Sequence, residues 1–131
     1  MLTTVEDLMV TGTKIPIINE EQKMSKAINI MSKKQLGSLI VLDKKKFVSG
    51  FISDGDLRRQ SKKDIMYLKV KNFMTKKPIC INKQILAVKA LEIMNKKKVT
   101  SLIVVETKSK KKKFKAIGIL DIHKIISAGI K

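Results

Sequence analysis

Residues 27–43, Ala-Ile-Asn-Ile-Met-Ser-Lys-Lys-Gln-Leu-Gly-Ser-Leu-Ile-Val-Leu-Asp, return 63 positions later as residues 90–106, Ala-Leu-Glu-Ile-Met-Asn-Lys-Lys-Lys-Val-Thr-Ser-Leu-Ile-Val-Val-Glu. Nine of the seventeen positions are identical. A unit this long that occurs only twice is an internal duplication, not a solenoid repeat. It implies two small subdomains, each too small for a good core alone, packed about a pseudo-twofold axis. At 131 residues and 44% hydrophobic, the chain is sized for one compact domain or two small ones that share a core.

Outward from that stretch, both copies read alike. Met24, Ala27, Ile28 and Met31, with their counterparts Ala87, Ala90, Leu91 and Met94, follow the spacing of an amphipathic helix, the methionines serving as core filler. Asn19 and Asn82 stand eight residues before the two alanines, as turn or cap residues ahead of those helices. Buried strands are expected over 39–42 and 102–105, followed by a lysine-rich turn and second strands over 47–52 and 114–120. Short apolar strands over 15–18 and 79–81 precede the long helices, and a short helix closes each copy. The unit is β-α-β-β-α, twice, an α/β (α+β) fold. It divides into a first domain over 1–62, a linker over 63–69 and a second domain over 70–131.

A formal charge of +18 makes a polyanion, nucleic acid or an anionic membrane, the first partner to weigh. The make-up of the charge argues against it. Of 29 basic residues only Arg58 and Arg59 are arginine, and the aromatics are limited to Tyr67, Phe47, Phe51, Phe73 and Phe114. Phosphate and base recognition usually exploits arginine's planar fork and aromatic stacking. The lysines gather instead in turns, as Lys44, Lys45, Lys46 and Lys110, Lys111, Lys112, Lys113, and at helix ends, as Lys33, Lys34 and Lys96, Lys97, Lys98. There they favour solubility and the helix dipole. A solvated lysine surface is expected, with neither nucleic acid nor membrane as partner.

No apolar run reaches the ~20 residues that span a bilayer, and the opening MLTTVEDLMV carries acids where a signal peptide has bases. The single cysteine, Cys80, sits in the apolar run 78–81, so no internal disulfide forms and the thiol belongs to core packing in a reduced, cytoplasmic setting.

The residues with chemistry to offer lie at the end of the second strand of copy one, in Gly50-Phe-Ile-Ser-Asp-Gly-Asp-Leu-Arg-Arg59. A polar, glycine-containing turn opens a helix there. Free backbone N–H groups, the Ser53 hydroxyl, and Arg58 and Arg59 can hold a phosphate, while Asp56 can accept two hydrogen bonds from a vicinal diol such as a ribose. Ser53 and Asp56 are equally the serine and acid of a capping box, which satisfies orphan N–H groups at a helix start and needs no ligand. Copy two keeps a capping residue, Asp121, at the Ser53 position, with His123 at Gly55 and Lys124 at Asp56. A helix of this kind therefore does not require the acid, and a second site would lack the diol acceptor. Both readings of Ser53 and Asp56 stand at this point.

A twice-repeated β-α-β-β-α unit with Gly-h-h-Ser-x-x-Asp after its last strand resembles the CBS domain pair. The resemblance implies a regulatory module that binds adenine nucleotides or related ligands in clefts between the repeats, with Ser53 at phosphate and Asp56 at ribose. It brings Asp54, Gly55, Arg58 and Arg59 into the ligand-binding set, together with Ile17 and Ile40 on the flanking strands. Asp121, His123 and Lys124 form the departing second cleft.

More specifically, Val5-Glu-Asp-Leu-Met9 with Thr11-Gly12 and Ile15-Pro16, Asp54-Gly-Asp-Leu-Arg-Arg59, Val70-Lys-Asn-Phe-Met-Thr75 with Pro78, and Gly118-Ile-Leu-Asp-Ile-His123 with Ala128-Gly-Ile130 are similar to the C-terminal half of bacterial D-arabinose-5-phosphate isomerases. CBS pairs joined to sugar nucleotidyltransferases look similar around residues 54–59. The isomerase resemblance implies an upstream sugar-isomerase (SIS) domain, a role in supplying the lipopolysaccharide sugar Kdo, a homodimer formed through CBS pairs, and an AMP- or ATP-like nucleotide or CMP-Kdo as regulatory ligand.

That catalytic domain takes about 200 further residues, for which this chain has no room. Within the chain there is one histidine, one cysteine and no phosphate-binding glycine loop, so neither a catalytic residue, a cofactor nor a metal site is expected. His123 reads as a surface or interface residue. The rival functions are a purely structural dimerisation module and, behind it, polyanion binding by the lysine surface.

Overall fold

The computed structural model describes residues 2–35, 37–60, 64–106 and 113–130. Lys110, Lys111 and Lys112 of the second lysine run, and Lys63 at the start of the expected linker, lie outside them. Two three-stranded sheets carry the fold. In one, β1 (Ile17–Asn19) runs parallel to β2 (Ser38–Leu42), which runs antiparallel to β3 (Val48–Ser53); in the other, β4 (Cys80–Asn82), β5 (Ser101–Val105) and β6 (Ala116–Asp121) repeat that order.

A parallel pair needs a crossover long enough for a helix. α2 (Met24–Lys34) and α4 (Ala87–Lys97) provide it. Their apolar stripes are buried at Met24, Ala27 and Met31 and at Ala87, Ala90, Leu91 and Met94. Both helices end on lysines, at the pole where cations are favoured, with Gln35 and Lys98 left-handed at φ 56° and 58°. Asn19 and Asn82 act as turn residues, their Oδ1 atoms accepting from the Glu21 N–H at 2.8 Å and the Gln84 N–H at 2.9 Å.

The third strands start later than the sequence suggests, at Val48 and Ala116, and run on to Ser53 and Asp121. In copy one the reason is Asp43, whose Oδ1 accepts from Lys45 N–H at 2.8 Å and Phe47 N–H at 3.0 Å, folding Phe47 into the turn. The register of β2 on β3 then shifts between Val41 and Leu42, and that of β5 on β6 between Val104 and Val105, so the irregularity is itself duplicated.

The short segments ahead of each strand–helix unit are equivalent as well. The first leader, residues 5–10, includes α1 (Val5–Leu8) and pairs Val10 with Ile119 of β6; the second, residues 70–75, pairs Thr75 with Phe51 of β3. Repeat boundaries and packing boundaries are separate things here. The sequence division at 1–62 and 70–131 follows the duplication, whereas packing gathers Pro16–Pro78 into one compact unit and Met1–Ile15 with Ile79–Lys131 into the other. Val70 completes the core of Ile18, Met24, Leu39, Val41 and Ile52; Val5 completes that of Ile81, Met94, Leu102, Val104 and Leu120. Two short helices, α3 (Asp54–Arg59) and α5 (Ile122–Ser127), close the sheets.

Candidate functional site

Leu39 and Val41 point into the core of the first unit, so strand alternation places Ile40 on the opposite sheet face. Register puts Ile17 on one side of Ile40 and Phe51 on the other. Ile40 is fully buried and Ile17 is 46% exposed, so only Ile17 of the two is open to solvent. This apolar row lies two residues before Ser53, where β3 gives way to α3.

At that junction Ser53 is the N-cap, its Oγ accepting from the Asp56 N–H at 3.2 Å, while Asp56 Oδ2 accepts from the Ser53 N–H at 2.9 Å. The capping box is complete. The other Asp56 oxygen accepts from Arg59 Nη2 at 2.6 Å; Arg59 is 69% exposed and Asp56 21%. Gly55 lets the arginine fold back, since a Cβ there would stand 3.0 Å from Arg59 Nη1. Asp54 donates its N–H to Gly37 O at 2.9 Å and lays its carboxylate against Gly37, where a Cβ would stand 2.8 Å from Oδ2. Arg58 is exposed.

Chemically, the turn offers a hydroxyl proton that its own capping bond does not use, a carboxylate with lone pairs beyond its two present partners, and two exposed guanidinium groups. The structure thus holds Ser53, Asp54, Gly55 and Asp56 at one turn, next to the row of Ile17 and Ile40, with Arg59 folding back onto Asp56 from the last turn of α3 and Arg58 exposed in that last turn. Sequence reasoning missed Phe51, in the same row, and Ser38, which faces Ser53 in register and is buried. The signal for Ser38 was present in the duplicated Ser-Leu-Ile-Val.

The second unit keeps the scaffold and changes the groups. Asp121 caps α5, its Oδ1 accepting from the His123 N–H at 2.7 Å and its Oδ2 meeting Ser101 Oγ at 3.5 Å. His123 and Lys124 are exposed. Lys124 cannot close a capping box or accept from a diol. Cys80, in the row equivalent to Ile17, is half-buried, and burial pushes its thiol up to about 11. Among the described residues no group of three or more His, Cys, Asp or Glu side chains could hold a metal ion, and no helix is long and apolar enough to cross a membrane.

The CBS domain family model matches residues 5–63 and again residues 70–131. The chain belongs to the CBS domain family, as a tandem pair. It is 36% identical over 129 residues to an uncharacterized protein, RP505, of Rickettsia prowazekii, covering 98% of this chain and 39% of that one. It is 31% identical over 132 residues to the arabinose 5-phosphate isomerase KdsD of Salmonella typhi, covering 99% of this chain and 38% of the enzyme. The chain therefore spans about two fifths of the length of these curated relatives.

Solved structures share the fold. CBSX2, solved in complex with AMP, has a TM-score of 0.79 at 23% identity, with 97% of this chain and 96% of that one covered. The CBS domain pair of MJ0100, solved with 5-methylthioadenosine and S-adenosyl-L-methionine, has a TM-score of 0.84 at 16% identity, with 98% and 97% covered. The chain is a CBS pair, and no catalytic domain is evident in it.

Proposed function

We propose that the chain is the ligand-sensing regulatory module of a D-arabinose-5-phosphate isomerase, binding a nucleotide or nucleotide-sugar at the turn of the first repeat. One observation carries the reading. Ser53 and Asp56 cap α3 in copy one, with Arg59 reaching back to Asp56 from the last turn and Arg58 exposed on the same short helix, while copy two carries Lys124 in place of the acid. Ser53 and the arginines meet phosphate, Asp56 accepts the ribose hydroxyls, and Ile17 lies against the base. An AMP- or ATP-like nucleotide and CMP-Kdo all fit that chemistry. CBSX2 with AMP and MJ0100 with S-adenosyl-L-methionine support a nucleotide-like ligand, and the KdsD relatives support the isomerase. The whole enzyme, with its SIS domain, would act in the cytoplasm as a homodimer in the lipopolysaccharide pathway. Ligand binding would bias the attached catalytic domain through coupling between distinct sites.

The completed capping box, with Asp56 already held by Arg59, favours a second reading in which the pair is purely structural and binds nothing. A thermal-shift series with AMP, ATP, S-adenosyl-L-methionine and CMP-Kdo separates the two. The sensing reading expects at least one of them to raise the melting temperature of the wild type and not of Asp56→Ala. A flat series in both proteins selects the structural module.

A further inference from the structure

The two leaders dock by matching backbone hydrogen bonds. Val5 N–H donates to Ile85 O and Glu6 N–H to Lys83 O, both at 2.9 Å; Val70 N–H donates to Gln22 O at 2.7 Å and Lys71 N–H to Glu20 O at 3.0 Å. Each leader also lays a methionine over a glycine of the strand it joins, Met9 over Gly118 and Met74 over Gly50. Backbone and apolar key are the same in both, so neither tells one docking edge from the other.

The charges do. In the first leader Glu6 is acidic and meets Lys83 Nζ at 3.4 Å, with Glu106 at 3.7 Å on the same ammonium. In the second leader the equivalent residue, Lys71, is basic and meets Glu21 at 2.8 Å, with Lys69 on the same carboxylate at 3.0 Å. The backbone pairing aligns Glu6 with Lys71 and Lys83 with Glu20, so the sign of leader and turn is inverted between the units. On the wrong edge, Glu6 would stand beside Glu20 and Glu21, and Lys71 beside Lys83.

We propose that Glu6 with Lys83, and Lys71 with Glu21, form a charge address that assigns each leader to its own unit. They are specificity-determining residues for how this duplicated chain routes itself, independent of whether a nucleotide binds. Exposed ion pairs add little to stability, but specificity is a difference, and misrouting both loses attractions and adds repulsions at two places at once. The hydrogen bonds to their partners hold Glu21 below the ordinary glutamate value and Lys71 and Lys83 above the ordinary lysine value, as working pairs require.

Amide hydrogen exchange on the full chain at low salt tests this. Relative to wild type, Glu6→Lys is expected to exchange the Val5, Glu6 and Val10 amides about threefold to tenfold faster, and Glu6→Gln by less, the scale of one exposed pair lost and one repulsion gained. Adding Lys83→Glu to Glu6→Lys should restore slow exchange in part, because the new carboxylate pairs with the leader but also faces Glu106, leave Val70 and Lys71 unchanged throughout, and lose its effect at high salt. The mirror set, Lys71→Glu with and without Glu21→Lys, should act on Val70 and Lys71 alone, the double variant recovering in part because Lys69 then faces a second ammonium, and supplies the same reading if the first set fails to fold. Gln and Lys variants that exchange alike, or double variants as exposed as the singles, would overturn the proposal.

Discussion

At Gly50 a single methyl group meets two fixed neighbours. A Cβ there would collide with Met74 Sδ and stand 2.9 Å from Thr75 O, which is backbone and cannot swing away. Gly50→Ala should therefore destabilise by about 1–3 kcal/mol in denaturant unfolding, the usual scale of overpacking. Gly55 makes the contrast, because its nearest neighbour is the end of the flexible, exposed Arg59 side chain at 3.0 Å. Gly55→Ala should leave stability within about 0.5 kcal/mol or raise it, since alanine is the better helix former. The glycine of Gly-h-h-Ser is thus explained by packing, whereas at Gly55 only a flexible side-chain end stands in the way of a Cβ.

Cys80 gives a third outcome at this scale. With its thiol at about 11 it should be almost unreactive to iodoacetamide at neutral pH and alkylate rapidly only on unfolding. Rapid alkylation of the folded chain would contradict the burial. Ser53 and Asp56 were legible in the sequence as a pair of alternatives, capping or binding, and the structure shows the capping half complete. Arg59 on Asp56 was not legible, because an i,i+3 bond from the last turn back to the first depends on the helix actually starting at Asp54, with Ser53 as its cap.

Among the elements, the strands and long helices followed from the duplicated pattern, because continuous apolar runs and three-four spacing survive substitution. The leaders were not recognised as equivalents. Between Val5 and Val70 the offset is 65, not the 63 of the body, and besides valine only the methionines Met9 and Met74 match. Their kinship lies in backbone register, which side-chain pattern does not record.

Removing residues 1–12 should accordingly expose amides of β6 and α4 while sparing β2 and β3, read by hydrogen exchange. Loss of protection in the 16–78 unit instead would contradict the packing division. The second leader has a pH signature. Glu21 is held below its ordinary value by hydrogen bonds from Lys71 and then Lys69, so its contribution is fully present above pH 4.5 and is lost as pH falls below that through the lowered value. Protection of Val70 and Lys71 should decline over that acid window at low salt. Protection that is flat there would show that the ion pairs add nothing measurable.

For the whole molecule, the duplication settles architecture and the differences between copies carry the proposed function. The tandem pair was readable from residues 27–43 and their return, the two sheets from the apolar runs on either side, and the family only once Gly50-Phe-Ile-Ser-Asp-Gly-Asp56 was added. The ligand was not readable, because a capping box and a phosphate-and-ribose site would call for the same serine and acid. The proposed sensing is lopsided: the first repeat carries Ser53, Asp56, Arg58 and Arg59, and the second carries Asp121, His123 and Lys124. Isothermal titration of AMP, and of CMP-Kdo if AMP is silent, into the wild-type chain and into Asp56→Ala tests that claim most directly. The account predicts one ligand per chain in the wild type and at least a tenfold loss of affinity in the variant, a change of about 1.4 kcal/mol. Two ligands per chain, unchanged affinity in Asp56→Ala, or no binding of either nucleotide would contradict it.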